Sequence, residues 1–198
     1  LALVGEWWWK SRRVRTWIVA PGRTDREPGL LFDRSYEDRY GDPGEPVTVP
    51  NEAGRRVLLT AAQGTKIFLF GAGASPEGNR PFIDELELAT KETRRLWRSE
   101  APYYEAPMVP LDAALRTVLT RRESKREPPN YFVRDLRKDE LRRLTEFPHP
   151  TPQLAGLQKE LIRYEREDGV MLTATLYLPP GHEPEDGPLP VLAWAYPE

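Results

Sequence analysis

Hydrophobic and polar positions alternate most regularly toward the C-terminal end of the chain. Leu161, Ile162 and Tyr164 lead to Asp168-Gly169, a dipeptide that readily supplies the positive φ angles of a tight hairpin turn. A returning strand is then predicted, because Val170, Leu172, Ala174, Leu176 and Leu178 alternate with Met171, Thr173, Thr175 and Tyr177, the period-two pattern of a half-buried strand. Pro179-Pro180-Gly181 ends it. Beyond a polar, Pro-rich loop from His182 to Pro188, the run Leu189 to Trp194 is mostly apolar, as suits a strand covered on both faces inside a sheet.

Upstream of Pro148 the hydrophobic pattern repeats. LATKETRRLW, starting at Leu88, lies over LRKDELRRLT, starting at Leu136, at an offset of 48 residues. Glu92 then matches Glu140, and Arg94-Arg95-Leu96 match Arg142-Arg143-Leu144. Each copy is preceded by an apolar stretch, Arg56 to Thr60 and Arg116 to Thr120, here 60 residues apart because the earlier unit carries the loop GAGASPEGNR. A more degenerate third copy runs through Arg15 to Ala20 and, after the turn-rich PGRTDREPG, Leu30 to Arg34. Four-stranded units spaced about 40 to 50 residues apart are the signature of propeller blades, and roughly three fit before the linker. An incomplete ring leaves faces and strand edges uncovered, so such a piece alone should be marginal or prone to associate. The junction is expected at Phe147 to Pro152, where three alternating prolines favour a stiff, extended connection. Residues 1–147 read as blades, 148–159 as a Pro-rich linker with a turn or short helical approach from Gln153 to Lys159, and 160–198 as the opening strands of a second domain.

The order of strand, Asp-Gly turn, alternating strand, PPG, acidic loop and apolar strand ending in Tyr196-Pro197 resembles the start of the α/β-hydrolase domain in the prolyl oligopeptidase family of serine peptidases. The segment FPHPTPQLAGLQKELIRYEREDGVMLTATLYLPPG, with GASPEGNRPFIDELEL upstream, is similar to the glutamyl endopeptidase-like branch, and the resemblance covers nearly the whole chain. The fold class it implies is mainly β: a partial propeller of about three blades followed by the first strands of an α/β-hydrolase domain. It further implies peptide-bond hydrolysis by a Ser-Asp-His triad lying after Glu198, short peptides reaching it past the propeller, and cleavage after Glu. In this family the tyrosine closing the third strand donates to the oxyanion hole, and Tyr196 occupies that position. The chain as given would be inactive alone; its partners would be the peptide substrate and the remainder of the same enzyme.

Composition bounds these readings. The chain of 198 residues begins LALVGEWWWK, without Met, as if cut from inside a domain, and Leu1 to Val4 is too short for a signal-peptide core. No run approaches the eighteen or so apolar residues of a membrane helix. A net charge of −2 with 30% charged residues offers no one-signed excess to release counterions, which argues against nucleic acid. The Arg pairs at Arg94, Arg121 and Arg142 lie beside acidic residues and read as solvated faces. Absence of Cys excludes disulfides and thiolate chemistry but does not choose between cytoplasm and periplasm.

The remaining candidate chemistry is thin. A nucleophile elbow needs small residues around Ser, as in Gly-x-Ser-x-Gly, and Ser75 in Gly73-Ala74-Ser75-Pro76-Glu77 lacks the second Gly, so it reads as a loop serine. His149 and His182 have no Asp or Ser partner at a defining spacing, and no ligand spacing suggests a metal. Gly71-Ala72-Gly73 lacks the third Gly of a phosphate loop and reads as an inter-strand turn; no cofactor is expected. Trp7-Trp8-Trp9 with Arg12, Arg13 and Arg15 reads as blade packing, one ring outward and two inward, with a substrate channel offering guanidinium to an acidic side chain as the alternative. Two rival classes are a non-catalytic propeller binding peptide or protein partners, against which the hairpin argues, and an esterase-like hydrolase, against which the blade repeat argues.

Overall fold

The computed structural model describes residues 1–23 and 25–195. Among them regular structure is nearly all strand, with three short 3-10 turns and no α-helix. The chain divides into two compact units, one of Leu1–Ser124 with Pro129–Phe147, the other of Lys125–Pro128 with Pro148 onward.

The first unit holds three antiparallel meanders. β1 (Ala2–Trp8), β2 (Arg13–Val19) and β3 (Gly29–Ser35) form the first sheet. The chain then passes through β4 (Glu45–Pro46), a small hairpin of β5 (Thr48–Pro50) and β6 (Arg56–Leu58), and β7 (Thr60–Ala61). β8 (Lys66–Gly71), β9 (Phe82–Glu87) and β10 (Thr93–Arg98) complete a second sheet of order β10-β9-β8-β4, with β7 also pairing β8. The third sheet runs β11 (Tyr104–Pro110), β12 (Thr117–Glu123), β13 (Asn130–Asp135) and β14 (Glu140–Arg143) in chain order. This is a partial β-propeller of three blades.

The 48-residue repeat is present as structure: Phe82–Glu87 and Asn130–Asp135 hold the same place in their sheets. The strand equated with Arg116–Thr120 is different from the one expected. Thr117 pairs with Asp135 as Lys66 pairs with Glu87, so the counterpart of β12 is β8, and Arg56–Leu58 pairs instead with Thr48–Pro50. RVLLT and RTVLT look alike in composition, but a strand's rank is set by its neighbour. Here Asn51 closes a tight local hairpin, its Oδ1 accepting from the Ala53 and Arg55 amides at 3.0 and 2.9 Å.

The core lies between the sheets. β8 buries both faces: Ile67 and Leu69 pack with Leu31 of the first sheet and Leu86, whereas Phe68 packs with Ile83, Val118 and Leu115 toward the third. Each such side chain taken from water stabilises by roughly 1.5–3 kcal/mol, so the middle sheet is what holds the unit together. At the end of the unit, the buried Asn130 Oδ1 accepts from the Phe147 amide at 2.7 Å and the Thr145 hydroxyl at 2.8 Å.

In the second unit, a 3-10 turn at Pro152–Leu154 precedes a hairpin of β15 (Gln158–Glu165) and β16 (Met171–Leu178). Gly169 takes φ +83° and its amide donates to the Arg166 carbonyl at 2.9 Å, the turn the Asp-Gly dipeptide predicts. The strand expected at Leu189 to Trp194 is not formed. Val191, Leu192 and Trp194 are 89%, 92% and 85% exposed. A strand of the buried kind exists only through its neighbours' hydrogen bonds, and among the described residues no strand pairs with this run.

Candidate functional site

Tyr196 lies outside the described residues. The other residues that suggested chemistry are each engaged locally. Ser75 donates its hydroxyl to the Gly78 carbonyl at 2.6 Å inside its own turn. His149 Nδ1 accepts from the Thr151 amide at 3.1 Å, and His182 Nδ1 stands 3.8 Å from Asp186. None of the three meets another as a nucleophile and base would. Gly71 to Gly73 is an inter-strand turn closed by the Arg80 amide on the Gly73 carbonyl at 2.8 Å. Gly73 is required there, since its φ is +64° and a Cβ would strike the Arg80 carbonyl. Among the described residues no cluster of three or more His, Asp or Glu could hold a metal ion.

The tryptophan triplet departs from the expected packing. Trp7 and Trp9 are 74% and 76% exposed, and Trp8 is 38% exposed. Alternation does not run through the triplet, because β1 stops at Trp8 and Trp9 begins a turn in which Arg12 adopts φ +56°. That turn stacks the Arg12 guanidinium 4.3 Å over the Trp9 ring, while Trp7 meets Tyr36 edge-on. The nearby arginines are already answered: Arg13 grips Asp33 through two bonds of 2.6 and 2.5 Å, Arg15 adds a third at 3.0 Å, and Arg12 donates to the Tyr36 hydroxyl at 2.8 Å. Donation from Arg13, then from Arg15, pulls the Asp33 carboxyl from 3.8 down to about 2.

A feature that sequence reasoning missed lies between the second and third sheets. A cleft of about 730 Å³ runs between β10 and the inward face of β11, β12 and β13. At its base Glu105, 3% exposed, takes a two-pronged grip from Arg134, Nε to Oε1 and Nη2 to Oε2, both 2.8 Å. Arg134 Nη1 turns to Asp139 at 2.6 Å, and its guanidinium stacks 5.0 Å over Trp97. Burial works against the Arg134 charge, and the Glu105 and Asp139 carboxylates more than offset it, so its pKa stands raised. Arg122 lies 3.3 Å over the Tyr103 ring, with Nε 3.7 Å from Glu105, and that buried Nε has no hydrogen-bond partner. One signal could have found this site: in Asn130, Phe132, Arg134 a charge sits on the alternation that faces inward.

Fold and site together place the chain among blade-built β proteins. No family profile matches it. Across its whole length it is 46% identical to the probable glutamyl endopeptidases, chloroplastic, of Arabidopsis thaliana and of Oryza sativa subsp. japonica. The chain is similar to these relatives from end to end, and it spans 22% of their length. Among solved structures, the AtxE2 isopeptidase aligns with 87% of this chain and 25% of its own at 16% identity and a TM-score of 0.39. TolB from Acinetobacter baumannii aligns with 90% of this chain and 44% of its own at 13% identity and a TM-score of 0.29.

Proposed function

We propose that the chain is part of a two-domain serine peptidase that hydrolyses oligopeptides after Glu. Residues 1–147 are blades of a propeller that gates peptide entry, 148–159 are the linker, and 160–198 open the α/β-hydrolase domain. The observation that carries this reading is the 46% identity, over the whole of this chain, to relatives named glutamyl endopeptidase. The hairpin of β15 and β16 with its Gly169 turn supports the hydrolase assignment, as the first two strands of such a sheet would look this way. The Ser, Asp and His of the triad belong to the part of the longer polypeptide that this chain does not span. Within the chain, Tyr196 is the catalytic candidate: its hydroxyl donates to the oxyanion of the tetrahedral intermediate, where removal of one such donor costs about 10²–10³ in kcat.

The test is steady-state cleavage of internally quenched peptides that differ only in Glu, Gln or Asp before the scissile bond, using the full-length protein. Preferred cleavage after Glu is expected, with Tyr196→Phe lowering kcat about a hundredfold and leaving KM nearly unchanged. Equal cleavage of all three peptides would remove the glutamyl preference, and an unchanged kcat in Tyr196→Phe would remove the oxyanion role.

A further inference from the structure

We propose that the cleft between the second and third sheets binds the carboxylate of an acidic peptide, with Arg122 and Arg98 supplying the guanidinium groups. Some of the charges in the cleft are already answered. Glu105 is held by both prongs of Arg134, and Arg134 spends its third nitrogen on Asp139. Glu105 therefore has little left for Arg122, whose nearest nitrogen stays at 3.7 Å, too far for a hydrogen bond. The Nε atom itself is sealed from solvent, but the Arg122 side chain keeps 22% exposure and lines the cleft, so a ligand there meets its terminal Nη groups.

The Arg122 side chain is also pre-oriented. Tyr103 lies flat beneath it at 3.3 Å and Phe132 flanks it at 5.6 Å, so the guanidinium plane is fixed by stacking while its N–H groups stay unspent. A fixed guanidinium fork matches the two oxygens of a carboxylate better than it matches a point charge. Arg98, exposed on β10, lines the same cleft and has neither a hydrogen bond nor an ion pair among the described residues. Trp97, Leu136 and Leu141 give the cleft apolar walls for the methylenes that carry such a carboxylate. Its volume of about 730 Å³ is in the range of small-ligand pockets, enough for one acidic side chain and its flanking backbone.

The proposal is tested by binding. Full-length protein is first treated with a fluorophosphonate, so that any serine active site is occupied, and then titrated by calorimetry with a capped peptide of alternating Glu and Ala. The Gln counterpart of that peptide and inorganic phosphate serve as controls. The Glu peptide is expected to bind, with affinity falling about tenfold in Arg122→Met and a few-fold in Arg98→Met; the Gln peptide should bind at least tenfold more weakly than the Glu peptide. Arg98 is on the surface, so its variant reads the site even where Arg122→Met does not fold. No binding of the Glu peptide would overturn the proposal. Equal binding of the Gln peptide, or wild-type affinity in both arginine variants, would overturn it as well. Phosphate that binds where the Glu peptide does not would make this a free-anion site and end the peptide assignment.

Discussion

Two hairpins in this chain are built on the same pattern and end in different states. In β12 and β13, Val118, Thr120, Phe132 and Arg134 share one face and are 0%, 0%, 4% and 9% exposed. In β15 and β16, Leu161, Leu176 and Tyr177 are 49%, 37% and 57% exposed, and no residue of either strand is buried. Pairing is regular in both. What differs is the neighbour: β12 has β11 beside it and the second sheet across its inward face, while β15 and β16 form a two-stranded sheet in their own unit. Alternation writes a face, and a neighbouring layer decides whether that face becomes a core.

The largest test of this difference is truncation. Ile83→Ala removes a fully buried side chain between the second and third sheets and is expected to cost about 4 kcal/mol in urea unfolding of the first unit. Leu176→Ala in the hairpin should cost less than about 1 kcal/mol; equal losses would erase the distinction. Charge gives the next contrast. Glu105→Gln takes from the buried Arg134 the carboxylate that two of its nitrogens grip and should cost about 3 kcal/mol, whereas Asp168→Asn, which breaks the exposed pair with Arg166, should leave the unfolding midpoint where it is.

How much of this was legible in the sequence follows the same division. The 48-residue offset was legible because the turn and outer strand after β9, Leu88 to Trp97, share their residues with those after β13, Leu136 to Thr145. The Asp168-Gly169 turn was legible because positive φ leaves a composition signature. The rank of Arg56–Leu58 was not, since composition does not name a partner strand. Neither were the exposure of Trp7 and Trp9 or the unformed strand at Leu189 to Trp194, because each depends on what lies across a face or an edge. The Arg134–Glu105 pair joins residues from β13 and β11; the sequence marks Arg134, by its place on the inward alternation, but not its partner.

Two smaller effects sharpen the comparison. Thr120 Oγ1 is buried without a hydrogen-bond partner, so Thr120→Val should raise stability by about 1 kcal/mol, while Thr175→Val on the exposed hairpin should change nothing; a loss in Thr120→Val would show that an unseen partner satisfies the hydroxyl. The smallest concerns acid. The Asp33 carboxyl titrates at 3.8 when free and about 2 when held by Arg13 and Arg15. Its contribution is present above pH 4 and is lost as the pH falls toward 2. The fall in urea midpoint across that interval should be shallower in Asp33→Asn than in the parent, and identical slopes would remove Asp33 from the acid response.

The most direct test of the central claim is to treat the full-length protein with a fluorophosphonate probe and map the modified residue by peptide mass spectrometry. The account predicts one labelled serine, outside residues 1–198, and no label on a sample consisting of this chain alone. Label on Ser75 or another serine within the chain, or no label on the full-length protein, would contradict it.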